Sequence, residues 1–373
     1  MGLAGLAASF LLGSEDPRRL WLSYLVSWLF FLSVALGGLF FVPVQFLSRA
    51  AWSVVIRRAA EQVMGTLPVL AALSLPLAFG AREIYPWLSG EAAGDDPIPG
   101  SKGAYLNPGF FYLRAAVYLL SWSIAAWWMR RQSLCQDETG DPAATRRLQT
   151  ASAPILVWFA LTVTFATFDW IMSLDPHWFS TIIGVYFFSG CAVAIQAFLV
   201  LMVPSIQKGR GPIRNVVTAE HLHDMGKLLF AFTVFWAYIA FSQFLLIWYA
   251  AIPEETRWYA ERLGEGWIGL TATLALGHFA VPFFLLLPEG AKRRRAPLLG
   301  AAVWLLAMHY LDVYWLVVPG LDGDGFRPHL LDLTTMAAVG GLFLGSLGFL
   351  LRRHAPVPIA DPRLEESLTL DNA

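Results

Sequence analysis

Asp169, His278, His309 and Asp312 stand inside long apolar runs. Carboxylates and imidazoles can each take up and release a proton, and His309 and Asp312 are spaced i, i+3, so on a helix they project from one face. Asp169 belongs to a stripe of Thr162, Ala166, Asp169 and Ser173 that also shares one helical face. Asp175 and His177 follow in the short loop beyond it, and Lys227 enters a later run behind Glu220, His221, His223 and Asp224. Titratable groups at membrane depth are costly and are the parts from which proton relays are built.

Each residue also has a plainer reading. A buried histidine such as His278 can simply tie one helix to the next. Asp175 before Pro176 is a turn-former, Asp169 near a helix end can be hydrated from outside, and Lys227 with its acidic–histidine neighbours suits a helix start at an interface. Two mid-depth histidines on different runs raise bis-histidine haem ligation, yet the paired, long-spaced histidines of haem b bundles are missing. Cys135 and Cys191 form no CxxC, no CxxCH and no iron–sulfur ligand set. The chain is therefore expected to bind no haem, metal or cluster itself.

The runs that position these groups cover residues 20–47, 62–87, 110–129, 151–172, 178–203, 225–250, 266–287, 297–318 and 330–351. Each reaches or exceeds the ~20 residues a helix needs to cross a ~30 Å hydrocarbon core. With 57% hydrophobic and only 14% charged residues, the composition does not suit a soluble chain of this length. In lipid the backbone must satisfy its own hydrogen bonds, so the fold class is all-α: a polytopic membrane protein with nine full transmembrane helices. Residues 1–13 are apolar but too short to span, and lack the basic start and cleavage site of a signal peptide. They are expected to be half of a tenth helix, with an interfacial segment as the alternative.

At ~1.5 Å per residue, His278 on the inward seventh run and His309 on the outward eighth come out at similar depths near mid-membrane. Asp312 and Asp169 lie nearer the outer surface, and Asp169, His309 and Asp312 are expected to form one water-reached cluster in the outer half. Pro43, Pro68, Pro76 and Pro282 should kink their helices. Residues 1–353 form the membrane domain; the polar, proline-containing tail 354–373 is expected to be disordered or docked on a neighbour.

Loop charge sets the orientation. One set of loops carries Arg49, Arg57, Arg58, Arg130, Arg131, Arg146, Arg147, Lys208, Arg210, Arg214, Lys292, Arg293, Arg294, Arg295, Arg352 and Arg353. The other carries Arg18, Arg19, Lys102, Arg257, Arg262 and Arg327 with most of the loop carboxylates: Glu91, Asp95, Asp96, Glu254, Glu255, Glu261, Glu265, Asp322 and Asp324. The C-terminus is thus expected in the cytoplasm.

Three stretches carry a family resemblance. Residues 224–259 begin Asp224-Met225-Gly226-Lys227 and run on through the aromatic-rich Ala240-Phe241-Ser242-Gln243-Phe244. Residues 169–186 open Asp169-Trp170-Ile171-Met172-Ser173-Leu174-Asp175-Pro176-His177-Trp178, and residues 309–319 open His309-Tyr310-Leu311-Asp312-Val313-Tyr314-Trp315. Together they resemble the polysulfide-reductase-C/NrfD-like integral membrane subunits, most closely the second, F-type (ActF-like) subunit of bacterial alternative complex III, a quinol:cytochrome c oxidoreductase. The resemblance covers nearly the whole chain and departs at residues 1–13, where the family's first helix is truncated. It implies two four-helix bundles with flanking helices, in the bacterial cytoplasmic membrane. The implied partners are a homologous NrfD-like subunit, an iron–sulfur/molybdopterin-like peripheral subunit and multihaem cytochromes c, besides lipids; nucleic acid is not among them. Haem and iron–sulfur clusters would sit on those partners, with menaquinol or ubiquinol as the substrate of the complex.

The expected function is a proton-conducting membrane subunit of such a complex, not catalytic alone, using Asp169, His278, His309 and Asp312. The alternatives are a quinol site within this chain and a purely structural scaffold. A secondary transporter fits less well, because no pair of Gly/Pro-broken helices stands out in the two halves. The orientation is directly testable: Lys102→Cys and Asp322→Cys should react with a membrane-impermeant maleimide only from the periplasmic side, and labelling from the cytoplasmic side alone would invert the topology.

Overall fold

A short apolar helix, α1 (Gly2–Leu12), lies along the last long helix of the chain, Gly2 and Gly5 facing Ala338 and Leu342, with Ser9 donating to Thr334 at 3.0 Å. Asp16 then accepts the backbone N–H of Arg19, and Pro17, which has no N–H to satisfy, opens α2 (Pro17–Leu47). A broken stretch follows: α3 (Val54–Met64), α4 (Leu67–Leu73), α5 (Leu75–Ile84) and the single turn α6 (Pro86–Ser89). The turn α7 (Gly100–Gly103) precedes α8 (Pro108–Thr139), capped by Asn107 at its start and by the left-handed Gly140 at its end. Next come α9 (Ala143–Trp170), α10 (Ile183–Ile206), α11 (Ala219–Ala250) and the short α12 (Pro253–Leu263). The seventh run is divided into α13 (Ile268–Thr273), a π-helical segment (Leu274–Ala280) and α14 (Val281–Leu286). After α15 (Glu289–Arg293), the chain ends in α16 (Arg295–Val317), α17 (Leu330–Arg353) and α18 (Leu364–Leu368).

This computed structural model describes residues 2–89, 100–207, 215–319 and 325–371. Of the loop charges weighed above, Glu91, Asp95, Asp96, Lys208, Arg210, Arg214, Asp322 and Asp324 lie outside the described residues. Among the described residues all regular structure is helical, and 8 helices are long and apolar enough to cross a membrane. A ninth crossing requires the bent pair 54–73 and 75–84, which turns through 58°, to count as one span.

The centre of the fold is α2. Its apolar window is 94% buried, against 28–78% for the other seven spans, and it packs on α3, α5, α9, α10, α16 and α17. It also repairs the bent span. Pro76 has no N–H, and the break at Ser74 frees the carbonyls of Leu70 and Leu73; Trp28 and Tyr24 of α2 donate to them at 2.9 and 2.8 Å. Two runs are therefore irregular: the second, bent where Pro68 and Pro76 were expected to kink it, and the seventh, which holds Pro282 and continues through a π-helical segment. The first of them is closed by these aromatic donors.

The second span also starts earlier than its hydropathy suggests. Arg57 and Arg58 lie within α3, buried, and not in a loop. Glu61 neutralises them from one turn on, with Ser133 donating to it at 2.9 Å, and Asp137 of α8 meets Arg58 at 2.7 Å. Asp361 of the tail binds Arg57, the Ala360 N–H reaches Asp137, and Ser367 donates to the Trp52 carbonyl. The tail through α18 thus packs on its own chain. Arg130 donates to Gln62 of α3 at 2.9 Å and Gly65 faces Leu350 of α17, so Arg57, Arg58, Arg130 and the end of α17 share one end of the helices, hereafter the basic face.

Gly37 shows how close α2 comes to α10: a Cβ there would lie 2.3 Å from the Cys191 carbonyl oxygen and 2.6 Å from Ile195 Cβ. Small residues permit such approaches between membrane helices. Gly37→Ala should lower the thermal midpoint in detergent, overpacking of this kind costing about 1–3 kcal/mol. Gly300→Ala, which meets nothing within 4 Å, is the control that should leave it unchanged or raise it. Equal melting of the two variants would show that the α2–α10 contact yields freely.

Candidate functional site

His309 and Asp312 share one face of α16 and are both 1% exposed, but they do not bond to each other. Asp312 accepts from the Tyr186 hydroxyl of α10 at 2.7 Å and from the Trp236 indole N–H of α11 at 3.0 Å. No cation pairs with it among the described residues. His309 Nε2 meets Ser33 Oγ of α2 at 2.7 Å. Ser33 gives its one hydrogen to the Phe30 carbonyl, so His309 donates from Nε2, which leaves Nδ1 an acceptor without a partner. Gly190 of α10 makes the room: a Cβ there would stand 2.7 Å from His309 Cε1, 3.1 Å from Nδ1 and 3.9 Å from Asp312 Oδ2. Gly190 thus lets the His309 ring close on α10, with Asp312 Oδ2 in the same neighbourhood.

His278 joins them through a distortion of its helix. In the π-helical segment the Val281 N–H bonds to the Leu276 carbonyl, five residues back. The same register would pair the Gly277 carbonyl with the nitrogen of Pro282, which carries no hydrogen; Trp304 of α16 donates to that carbonyl instead, at 2.7 Å. The distortion sets the His278 ring on the Trp236 indole, centroids 3.8 Å apart, and 6.3 Å from the His309 ring. Both His278 nitrogens are buried without a partner. The expected agreement in depth between His278 and His309 thus becomes proximity, with Trp236 touching both His278 and Asp312.

Tyr186 and Trp236 also form one wall of an apolar cavity of about 550 Å³ between α11, α12 and α13, lined further by Phe241, Tyr259, Phe279 and Trp315. The Tyr259 hydroxyl makes no hydrogen bond among the described residues. Beneath it, Arg262 lies over the Trp258 ring at 3.4 Å and donates to the Trp258, Trp315 and Leu316 carbonyls, holding the end of α16. Burial pushes its guanidinium down to about 9. It remains a cation at neutral pH and caps carbonyls at the negative end of the α16 dipole.

Asp169 belongs elsewhere. The expectation of one cluster with His309 and Asp312 is corrected by Arg114 of α8, whose Nε and Nη2 grip both carboxylate oxygens at 2.8 and 2.6 Å. Tyr118 adds a third hydrogen bond at 3.0 Å, and Arg114 lies over the Tyr105 and Phe110 rings. Thr162, on the expected stripe, accepts from Trp122 at 2.8 Å. Among the described residues nothing bonds Asp169 to His309 or Asp312. Asp175 accepts the backbone N–H groups of His177 and Trp178, a turn-forming arrangement, and Lys227, half exposed, pairs with Asp224 one turn back.

The sequence reading missed Arg114, Tyr186, Trp236 and Ser33. A lone arginine inside an apolar run was the visible signal for the first; the other three are ordinary membrane-helix residues until a carboxylate or imidazole is placed beside them. No protein-family model matches the chain, and no curated protein matches it either.

Arg114 is testable as a structural partner. Arg114→Met would strand a buried carboxylate and should cost about 3–5 kcal/mol. Arg114→Met with Asp169→Leu should melt close to the parent, since the unpaired charge is gone. A double variant no more stable than Arg114→Met would show that the pair does more than satisfy itself.

Proposed function

We propose that this chain is a membrane subunit of a quinol-oxidising respiratory complex, and that its own chemistry is proton transfer through Asp312, His309 and His278. The observation that carries this reading is the contrast between two buried carboxylates. Asp169 is neutralised by a guanidinium, whereas Asp312 has only neutral donors and lies beside imidazoles with open nitrogens. Buried polar groups are normally satisfied, and those that are not call for a solvent or proton-exchange role. The open Nδ1 of His309 and the Asp312 carboxylate both lie close to Gly190, so the imidazole is the acceptor nearest to hand for a proton leaving Asp312. His278, whose ring lies 6.3 Å from that of His309 and whose nitrogens are open, extends the set of proton-accepting groups. In this reading Asp169 and Asp175 are structural.

The setting comes from the family resemblance: an F-type subunit of alternative complex III, arranged as two four-helix bundles in the bacterial cytoplasmic membrane with the basic face and C-terminus inside. Its partners would be a homologous NrfD-like subunit, an iron–sulfur/molybdopterin-like subunit and multihaem cytochromes c, which hold the redox centres. The cavity favours a second reading, a quinol site in this chain. A quinol ring there would have the Tyr259 hydroxyl as a hydrogen-bonding group and the Tyr186–Asp312 pair as a proton acceptor.

The two readings and the scaffold alternative separate in one set of measurements on the assembled complex. Asp312→Asn and His309→Phe should lower protons moved per electron while leaving assembly and thermal midpoint intact. Loss of assembly with an unchanged proton ratio would mark a scaffold. Tyr259→Phe should leave the apparent KM for quinol unchanged under the leading reading, and a severalfold rise would move quinol into this cavity.

A further inference from the structure

One face of α17 is covered along half its length. Thr334, Ala338 and Leu342 take α1, whose Gly2 and Gly5 sit against them. Helical spacing continues that face through Gly345, Phe349 and Arg352. There the surface is open: a Cβ on Gly345 or Gly348 would meet nothing within 4 Å, while Leu344 and Phe349 are 53% and 54% exposed. The notch has a volume of about 410 Å³ and ends at Arg352 and Arg353. Arg353 lies over the Phe349 ring, and no carboxylate pairs with either arginine among the described residues.

Length and charge together define an occupant. From Leu344 to Arg353 the helix rises about 15 Å, at ~1.5 Å per residue, which is one leaflet of a ~30 Å core. The occupant must be apolar over that length and anionic at its end. We infer that this notch is a binding site for an anionic diacyl phospholipid of the leaflet on the basic face. Its acyl chains lie over Gly345 and Gly348 and reach toward the start of α1, and its phosphate is held by Arg352 and Arg353. Glycine keeps the floor flat enough for the chains, and the arginines stand at the depth of the headgroup. The site is independent of the proton-transfer reading, since none of its residues touches Asp312, His309 or His278.

Native mass spectrometry of the full-length chain in mild detergent, titrated with phosphatidylglycerol or phosphatidylcholine, tests it. The parent should retain phosphatidylglycerol in preference to phosphatidylcholine. Arg352→Gln with Arg353→Gln should weaken retention roughly thirtyfold, at about 1 kcal/mol per arginine. Gly345→Leu, which fills the notch and leaves both charges, should also lose the lipid while melting like the parent. Equal retention of both lipids, or undiminished phosphatidylglycerol in both variants, overturns the proposal. So does a partner subunit's helix found seated on Gly345 and Gly348 in the intact complex.

Discussion

A backbone carbonyl freed inside a bilayer finds no water, so every break in a membrane helix must be answered by a donor from another helix. The architecture of this chain follows from that constraint. Its bent second run and its π-helical seventh run are answered by the same device, an aromatic N–H or O–H from a neighbour. Tyr24 and Trp28 answer the first, and Trp304 answers the second. The donors for the first come from α2, which is why that helix is enclosed on nearly all sides, and why Gly37 must let α10 approach. Hydrophobic burial alone does not rank helices in lipid, because tails are as apolar as leucine. What places α2 at the centre is its inventory of small and polar groups. Tyr24 and Trp28 reach α4, Gly37 meets α10, Ser33 reaches α16, and Ser23 and Ser27 reach α17.

The same accounting separates the charged clusters by role. Around Arg57, Arg58, Glu61, Asp137 and Asp361, and again around Arg114 and Asp169, each charge has an opposite charge within reach. Such groups hold helices and the tail in register and have little freedom to change protonation without breaking a pair. Asp312, His309 and His278 have neutral partners or none. Their immediate surroundings include a π-helical segment and a glycine in place of side-chain volume. Irregular helix geometry is tolerated where something is gained from it.

Much of this was legible in the amino-acid order. The apolar runs located each long helix, because length and hydropathy are what a bilayer selects, but the polar ends, reaching Val54, Thr139, Ala143 and Ala219, extend well past them. The i, i+3 pairing of His309 with Asp312 and the matched depth of His278 followed from helical geometry. Arg57 and Arg58 were misplaced in a loop because hydropathy cannot see that Glu61, Asp137 and Asp361 neutralise them. Asp169 was grouped with Asp312 by depth alone, which says nothing about azimuth around the bundle. Arg114, the residue that decides its role, contributes only one unfavourable position to an otherwise apolar run. The π register of the seventh run hid because Pro282 announces a lost donor without saying which register the helix will take up.

That register explains why His278 can belong to the site at all. A π turn inserts the equivalent of one extra residue, so the face presented after it is rotated relative to the face before it. The segment carries His278 onto Trp236, whose indole N–H is already committed to Asp312, and the imidazole therefore contributes its nitrogens to the interior without competing for that bond. An α-helical register would restore a donor to the Gly277 carbonyl and remove the need for Trp304. In the observed register the indole N–H of Trp304 supplies the donor that Pro282 lacks. Proline at position 282 and tryptophan at 304 thus support one another across α14 and α16, and the position of a buried imidazole rests on that pair.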